Sequence, residues 1–196
     1  MTHLLGLTGS IGMGKSTTAQ MFRDAGIPVW DADATVHKLY SVGGAAVKPI
    51  SDLYPEATIT GAVSRDVLKQ VISADPDALK RIEAVVHPLV AEDRKAFMER
   101  HDDPLVVFDI PLLFETGAAN WLTSVLVVTV PPDIQKARVM ARPGMTETQF
   151  DMILAKQMSD AQKRHRADHI IETRDLDGTR QAVQTLIAQL TGQSHA

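Results

Sequence analysis

The feature that most restricts the fold of this chain is a run of eight residues near its amino end, Gly9-Ser10-Ile11-Gly12-Met13-Gly14-Lys15-Ser16. It matches the pattern G-x-x-x-x-G-K-[ST], in which successive backbone N–H groups surround a polyphosphate. An apolar segment, residues 3–8, precedes the run, and residues 16–23 are typical of a helix that ends at Gly26. Since a strand, a glycine-rich loop and a helix occur in the required order, we expect this chain to bind a nucleoside triphosphate.

Each fixed residue of the loop suits one part of that task. Glycines tolerate positive φ and leave the backbone N–H groups uncovered. The ammonium group of Lys15 suits the β and γ phosphates, and the hydroxyl group of Ser16 suits Mg²⁺. The amino end of the following helix attracts the same anion. We therefore predict Mg²⁺ as the cofactor of this site.

Composition excludes several classes of function. The 196 residues include no cysteine, which rules out disulfides and thiolate chemistry and favours a cytoplasmic location. A net charge of −4 argues against a nucleic-acid partner. The longest apolar stretches fall well short of the roughly 20 residues that span a bilayer, so we expect no membrane segment. No feature of the sequence indicates an obligate protein partner.

The order of apolar and helical segments predicts the fold class. Apolar runs typical of buried parallel strands alternate with segments of helical periodicity, which indicates an α/β sandwich with a parallel sheet. We expect the tail from Gly192 onward to fray. The five predicted strands are residues 3–8, 27–31, 105–110, 124–130 and 168–172.

About 70 residues of mostly helical pattern separate the second and third predicted strands, too many for a simple crossover. We expect them to form a helical subdomain that contains a helix at 64–72 and a longer run at 76–100, interrupted by His87-Pro88. A break at residues 142–146 follows the fourth strand and suggests a lid. The predicted organisation is a nucleotide-binding core of residues 1–34, 103–135 and 166–192, an acceptor-binding subdomain of residues 35–102, and a lid region of residues 136–165.

Carboxylates follow the second and third predicted strands, at the sheet edge that also carries the glycine-rich loop. Asp31 and Asp33 follow the second strand, and we predict Asp33 as the base that accepts a proton from an attacking hydroxyl. Asp31 either orients water on Mg²⁺ or caps the next helix. Asp109 ends the third strand, where a carboxylate contacts Mg²⁺ through water. Glu115 is a weaker candidate.

Two basic clusters occur in the last third of the chain. Arg138 and Arg142 lie four residues apart, hence on one helix face, and we expect their guanidinium groups to clamp the transferring phosphoryl group. Residues 163–166, Lys-Arg-His-Arg, end another predicted helix. Because cations are favoured at that end of the helix dipole, we favour capping over phosphate binding there.

Four segments together resemble one enzyme family. Residues 7–16, residues 29–33 with His37, the pair His87-Pro88, and residues 109–115 are similar to motifs of the dephospho-coenzyme A kinases. The resemblance implies a core sheet of five parallel strands, a helical acceptor domain and a lid. It further implies that ATP phosphorylates the ribose 3′-hydroxyl of dephospho-coenzyme A, which completes coenzyme A synthesis.

The resemblance also assigns roles to residues that match the family motifs. It implies that Asp33 is the base and that Lys15, Arg138 and Arg142 act on the phosphates. The segment 171–174 departs from the family pattern, because it lacks the Asn that is usual near the adenine. The residues implied to bind ATP are Gly9, Ser10, Ile11, Gly12, Met13, Gly14, Lys15, Ser16 and Thr17. Those implied to bind the acceptor are Asp33, His37, Arg65, His87, Leu112 and Glu115.

Three other functions remain open at this point. The first is another small-molecule kinase of the same fold, acting on a nucleoside monophosphate or a sugar acid. The second is a nucleotide-dependent switch, although the sequence lacks the Asn-Lys-x-Asp segment that reads guanine. The third is an ATPase module of a larger assembly.

Overall fold

A computed structural model describes residues 2–192 of the chain, which divide into two compact units. The first unit comprises the residues up to Trp30 and those from His101 onward, and the second comprises Asp31–Arg100. Our expectation for the tail concerns mainly residues 193–196, which lie outside the described range. No helix within that range is long and apolar enough to cross a membrane.

Within residues 2–192 the chain forms the following strands and α-helices. The strands are β1 His3–Thr8, β2 Val29–Asp31, β3 Thr58–Ile59, β4 Ala62–Val63, β5 Leu105–Asp109, β6 Ser124–Thr129 and β7 His169–Glu172. The helices are α1 Lys15–Asp24, α2 Ala32–Tyr40, α3 Val47–Leu53, α4 Arg65–Ala74, α5 Ala78–Arg100, α6 Pro132–Met140, α7 Glu147–Lys156, α8 Asp160–Arg166 and α9 Leu176–Thr191.

A five-stranded parallel sheet with the order β2-β5-β1-β6-β7 forms the centre of the first unit. Leu5 of β1 lies opposite Val107 of β5 on one side and Ser124 of β6 on the other. Every residue of β5 and β6 is buried, as expected of strands covered on both faces. Five apolar runs were predicted as parallel strands, and this prediction of the fold is confirmed.

The core of the first unit lies between this sheet and its helices. Leu5 and Leu7 of β1 point to the same face because side chains alternate along a strand. Both are fully buried in one cluster with Phe22 of α1 and Val183 of α9. This packing joins α1 to the sheet directly after the glycine-rich loop, and so fixes both ends of that loop.

The second unit has a core of its own, built from α2 to α5. Leu39, Ile50, Leu68 and Ile82 are buried together, one from each of these four helices. A short antiparallel hairpin, β3–β4, also belongs to this unit. Its turn uses positive φ at Thr60 and at Gly61, the geometry of a two-residue hairpin loop. No strand was predicted from the sequence in this hairpin.

Helix α5 is continuous through Pro88, so our expectation that His87-Pro88 interrupts it is wrong. Proline in a helix interior removes one hydrogen bond and costs about 3 kcal/mol. Ile82 and Val86 before the proline are buried, and Leu89 and Val90 after it pack on the same cluster. Since each buried aliphatic side chain contributes about 1.5–3 kcal/mol, Ile82 and Val86 together already offset the cost of the proline, and the partly buried Leu89 and Val90 add to this.

Candidate active site

The glycine-rich loop, residues 9–14, joins β1 to α1 and packs too closely against its neighbours to carry side chains at its glycines. Gly12 and Gly14 have φ of 79° and 84°, in the left-handed region. A Cβ atom on Gly12 would lie 2.5 Å from Cγ2 of Val139, and one on Gly14 would lie 2.7 Å from Oγ1 of Thr173. The loop is therefore fixed between α6 and the end of β7.

Hydrogen bonds to Met13 hold the middle of the loop. The Met13 N–H donates to the carbonyl of Ser10 at 3.1 Å, and the hydroxyl of Thr173 donates to the carbonyl of Met13 at 2.8 Å. The Met13 side chain is only 2% exposed, and its sulfur accepts from the N–H of Val130. Only the backbone of Met13 is therefore available to a phosphate group.

Helix α1 begins at Lys15 and has Gly14 as its N-cap. Among residues 2–192, no side chain accepts from the first N–H groups of this helix, so its amino end is open to an anion. Ser16 and Thr17, which follow Lys15, are exposed on this first turn. This placement agrees with the phosphate-binding role predicted for the loop.

Lys15 and Asp109 form an ion pair in the first unit. Their side chains are 16% and 4% exposed. The pair forms because Leu7, which leads into the loop, lies directly opposite Asp109 in the β1–β5 register. With the Ser16 hydroxyl, the Asp109 carboxylate supplies the hard oxygen atoms that Mg²⁺ prefers, so these residues fit the predicted metal.

Arg138 is tied to the segment that follows β7. Its guanidinium group donates to the Thr173 hydroxyl at 3.1 Å and to the Arg174 carbonyl at 3.2 Å. Arg142, four residues later, is exposed just beyond α6. Both arginines line a cavity beside the loop, together with Gly12, Gly14, Thr17, Thr173, Arg174, Asp175, Leu176 and Thr179. The predicted pair of arginines therefore adjoins the phosphate loop.

Glu115 forms an ion pair with a buried lysine of the first unit. Its Oε1 lies 3.1 Å from Nζ of Lys163, whose side chain is 0% exposed, and it accepts from the Met158 N–H at 2.8 Å. Burial raises the pKa of the Glu115 carboxyl, but the Met158 amide and the Lys163 ammonium outweigh burial and lower that pKa overall. Lys163, predicted to be a helix-end cation, is thus a core residue. Leu112, also implied to bind the acceptor, is 41% exposed.

The remaining predicted residues belong to the second unit. Asp31 caps α2, since its Oδ1 accepts from the N–H of Ala34 at 2.9 Å. Asp33 and His37 are exposed and lie four residues apart, hence on one face of α2. Of the two roles considered for Asp31, the structure supports helix capping.

Arg65 and His87 are the other second-unit residues implied to bind an acceptor. Arg65 begins α4, and its guanidinium carbon lies 5.9 Å from the centre of the Tyr40 ring, within the range of a cation–π contact. Burial raises the pKa of the Tyr40 hydroxyl, and Arg65 partly offsets this effect. His87 is exposed on α5.

Sequence reasoning missed the residues that hold the loop, Thr173, Gln135 and Gln157. Gln135 donates to the Ile11 carbonyl at 2.8 Å, and Gln157 accepts from the Ile11 N–H at 3.1 Å. Each of these contacts is one hydrogen bond to the backbone, across more than 120 residues. Such contacts leave no spacing pattern in a sequence.

Comparisons with known proteins identify relatives over the whole chain. The family model for dephospho-CoA kinase matches residues 3–177. A dephospho-CoA kinase of Ruegeria pomeroyi is 58% identical over 197 residues, which is 100% of both chains. Another, from a Jannaschia species, is 57% identical and covers 97% of this chain and 98% of that relative.

Solved structures share the fold of this chain. The crystal structure of TT1252 from Thermus thermophilus is 36% identical, has a TM-score of 0.85, and covers 96% of this chain and 98% of that chain. A dephospho-CoA kinase from Campylobacter jejuni has a TM-score of 0.72 at 22% identity, covering 98% and 99% of the two chains. A shikimate kinase from Acinetobacter baumannii, at 15% identity and a TM-score of 0.53, shares the fold alone over 100% of this chain and 97% of that one. The chain belongs to the dephospho-CoA kinase family.

Proposed function

We propose that this protein transfers the γ-phosphoryl group of ATP to the ribose 3′-hydroxyl of dephospho-coenzyme A, giving coenzyme A and ADP in the last step of coenzyme A synthesis. The observation that carries this proposal is the Lys15–Asp109 pair beside an open helix N-terminus, in a chain that the family model matches from residue 3 to residue 177. These groups suit phosphoryl transfer, in which the protein mainly positions the reactants and neutralises charge.

On the donor side, Lys15 and the first N–H groups of α1 neutralise the β and γ phosphates. Arg138 and Arg142 balance the charge that spreads over the transferring group, because a planar guanidinium group meets two phosphate oxygens at once. The Ser16 hydroxyl, directly, and Asp109, through water, would hold Mg²⁺. When bound, the metal ion supplies further neutralisation of the phosphate charge.

On the acceptor side, Asp33 accepts the proton from the ribose 3′-hydroxyl. The 3′-oxygen forms a bond to the γ-phosphorus while the bond from that phosphorus to the β–γ bridging oxygen breaks, and ADP leaves. The exposed Asp33 and His37 on one face of α2 support this assignment. The rest of the acceptor is proposed to bind to Arg65, His87, Leu112 and Glu115.

The proposed organisation follows from these roles. A second unit with its own core, Asp31–Arg100, supports an acceptor-binding subdomain in residues 35–102. We predict a lid in residues 136–165, and its part from Lys136 to Lys156 supports this prediction, because it carries both arginines and is largely exposed. The remainder, which contains the buried Lys163, gives no such support. A closed lid excludes water, so we expect ATP hydrolysis to be slow without an acceptor. The magnesium requirement and the cytoplasmic location stay predictions.

The first test is a coupled ADP-release assay with ATP and Mg²⁺, comparing dephospho-coenzyme A with nucleoside monophosphates and sugar acids. We expect turnover with dephospho-coenzyme A alone and a product phosphorylated at the ribose 3′ position. Turnover with another acceptor would refute this substrate, and rapid hydrolysis without any acceptor would refute the kinase. Activity that persists with excess chelator would contradict the metal requirement.

Two substitutions test the assigned roles. Lys15→Ala should abolish turnover through lost phosphate binding, whereas Asp33→Asn should abolish turnover with ATP binding retained. Asp177→Asn is the matched control for Asp33, because Asp177 is also an exposed acid in the first turn of a helix. An Asp33→Asn variant with normal turnover would remove Asp33 as the base.

A further inference from the structure

The connector between α7 and α8, residues 157–159, is held by one contact to the segment after β5 and by one contact from the start of α8 to β6. The N–H of Met158 donates to Glu115, which follows β5, at 2.8 Å. At the start of α8, the carboxylate of Asp160 accepts from the hydroxyl of Thr129, the last residue of β6, at 2.9 Å. The connector therefore keeps its place relative to the strands that lead into the active site.

From this fixed connector, one side chain reaches the phosphate-binding loop. Oε1 of Gln157 accepts the Ile11 N–H at 3.1 Å, and Nε2 of Gln135 donates to the Ile11 carbonyl at 2.8 Å. The Ile11 N–H and carbonyl belong to consecutive peptide groups, so the two glutamines together fix the peptide planes on both sides of the Ile11 Cα atom. Gly12, with its positive φ, follows directly.

We propose that Gln157 is a positioning residue for phosphoryl transfer, which links the α7–α8 connector to the phosphate-binding loop. The role in turnover rests on the proposed function, whereas the contact with Ile11 does not. Because the protein contributes to phosphoryl transfer mainly by positioning the reactants and neutralising charge, a small rotation of a loop peptide lowers the rate. Nucleotide affinity is shared among Lys15 and several N–H groups, so it depends less on one peptide.

The decisive variant is Gln157→Met, which preserves the length of the side chain and removes the acceptor. Amide hydrogen exchange at Ile11 in the ligand-free protein measures the contact directly, and we expect exchange about fivefold faster, as for the loss of one typical hydrogen bond. With ATP and dephospho-coenzyme A, we expect kcat to fall about tenfold, while the Kd of ATP changes less than about threefold. A rate loss without an affinity loss distinguishes positioning from a general structural defect.

Two further variants serve as controls. Gln184→Met makes the same replacement at an exposed position of α9, and Ile11 exchange and kcat should both stay at their normal values. Gln157→Glu retains an oxygen acceptor for the Ile11 N–H, so this amide should stay protected from exchange. This variant tests the contact independently if Gln157→Met folds poorly. Unchanged Ile11 exchange or unchanged kcat in Gln157→Met would overturn the proposal, as would faster Ile11 exchange in Gln157→Glu. A wild-type protein inactive on dephospho-coenzyme A would refute the proposed function instead, and the exchange measurement would still test the contact.

Discussion

The buried pair of Glu115 and Lys163 provides the sharpest test of the packing described above. Removing one partner of a buried pair costs about 3–5 kcal/mol, because the other charge stays buried without compensation. Glu115→Gln leaves the Lys163 ammonium, on a side chain 0% exposed, facing a neutral amide. The Glu115 side chain is 18% exposed, so water weakens the pair, and we expect the lower end of that range, about 3 kcal/mol.

The reverse change, Lys163→Met, leaves a carboxylate that still accepts the Met158 N–H and reaches solvent. We expect it to lower the free energy of unfolding by about 1 kcal/mol. The double variant leaves neither charge, and we expect a loss of about 1–2 kcal/mol. Additive effects would give about 4 kcal/mol, so the pair should show a coupling of about 2–3 kcal/mol.

Urea denaturation followed by tryptophan fluorescence measures these differences, because both tryptophans, Trp30 and Trp121, belong to the first unit. Lys136→Met, at an exposed ion pair with Glu147, is the control and should leave the midpoint unchanged. A double variant less stable than Glu115→Gln alone would refute the reasoning, because it would show that the lone Lys163 charge is not the source of the cost.

Three further predictions follow from single contacts. Burial, with His169 nearby, lowers the pKa of His3 below 6.5, so the unfolded chain binds more protons than the folded protein in this range. The free energy of unfolding should therefore fall as the pH is lowered from about 7 to 5. His3→Asn should reduce this dependence in thermal melts, and a variant with the same pH dependence as the wild type would contradict the assignment. Gly12→Ala should cost about 2–3 kcal/mol in urea denaturation, since it places an L residue at φ 79° with its Cβ against Val139, and an unchanged midpoint would be inconsistent with this geometry. Asp31→Ala should cost about 1 kcal/mol by removing the cap of α2 and should retain turnover; loss of turnover in a stable variant would show that Asp31 acts in catalysis.

The sequence predicted the sheet well because strands buried on both faces are continuous apolar runs. The run predicted at 124–130, for example, forms β6 at Ser124–Thr129. Prediction from the sequence failed where tertiary packing decides the local structure. Pro88 is tolerated inside α5 because side chains before and after it pack on the core of the second unit, and local sequence rules do not include such packing.

Some residues of the candidate site were likewise predictable from the sequence and others were not. Residues of the loop and Asp109 were predictable, because binding a polyphosphate restricts both residue type and spacing. Family membership was likewise predicted from motifs, and the comparisons confirm it. Thr173 and Gln157 were not predictable, because each makes one hydrogen bond to a distant backbone atom, a task that many polar residues perform. The burial of Lys163 was not predictable for another reason, because a lysine next to other cations in the sequence is typical of a solvated helix end.

The order of strands in the sheet has a consequence for synthesis on the ribosome. The neighbours of β1 begin at Leu105 and Ser124, whereas the core of the second unit draws only on Asp31–Arg100. At an elongation rate of about 5–20 residues per second, β1 waits about 5–20 seconds for β5, and the whole second unit is synthesised before that partner. The apolar residues of β1 therefore lack their sheet partners in the nascent chain during that interval, and exposed apolar surface of this kind promotes aggregation.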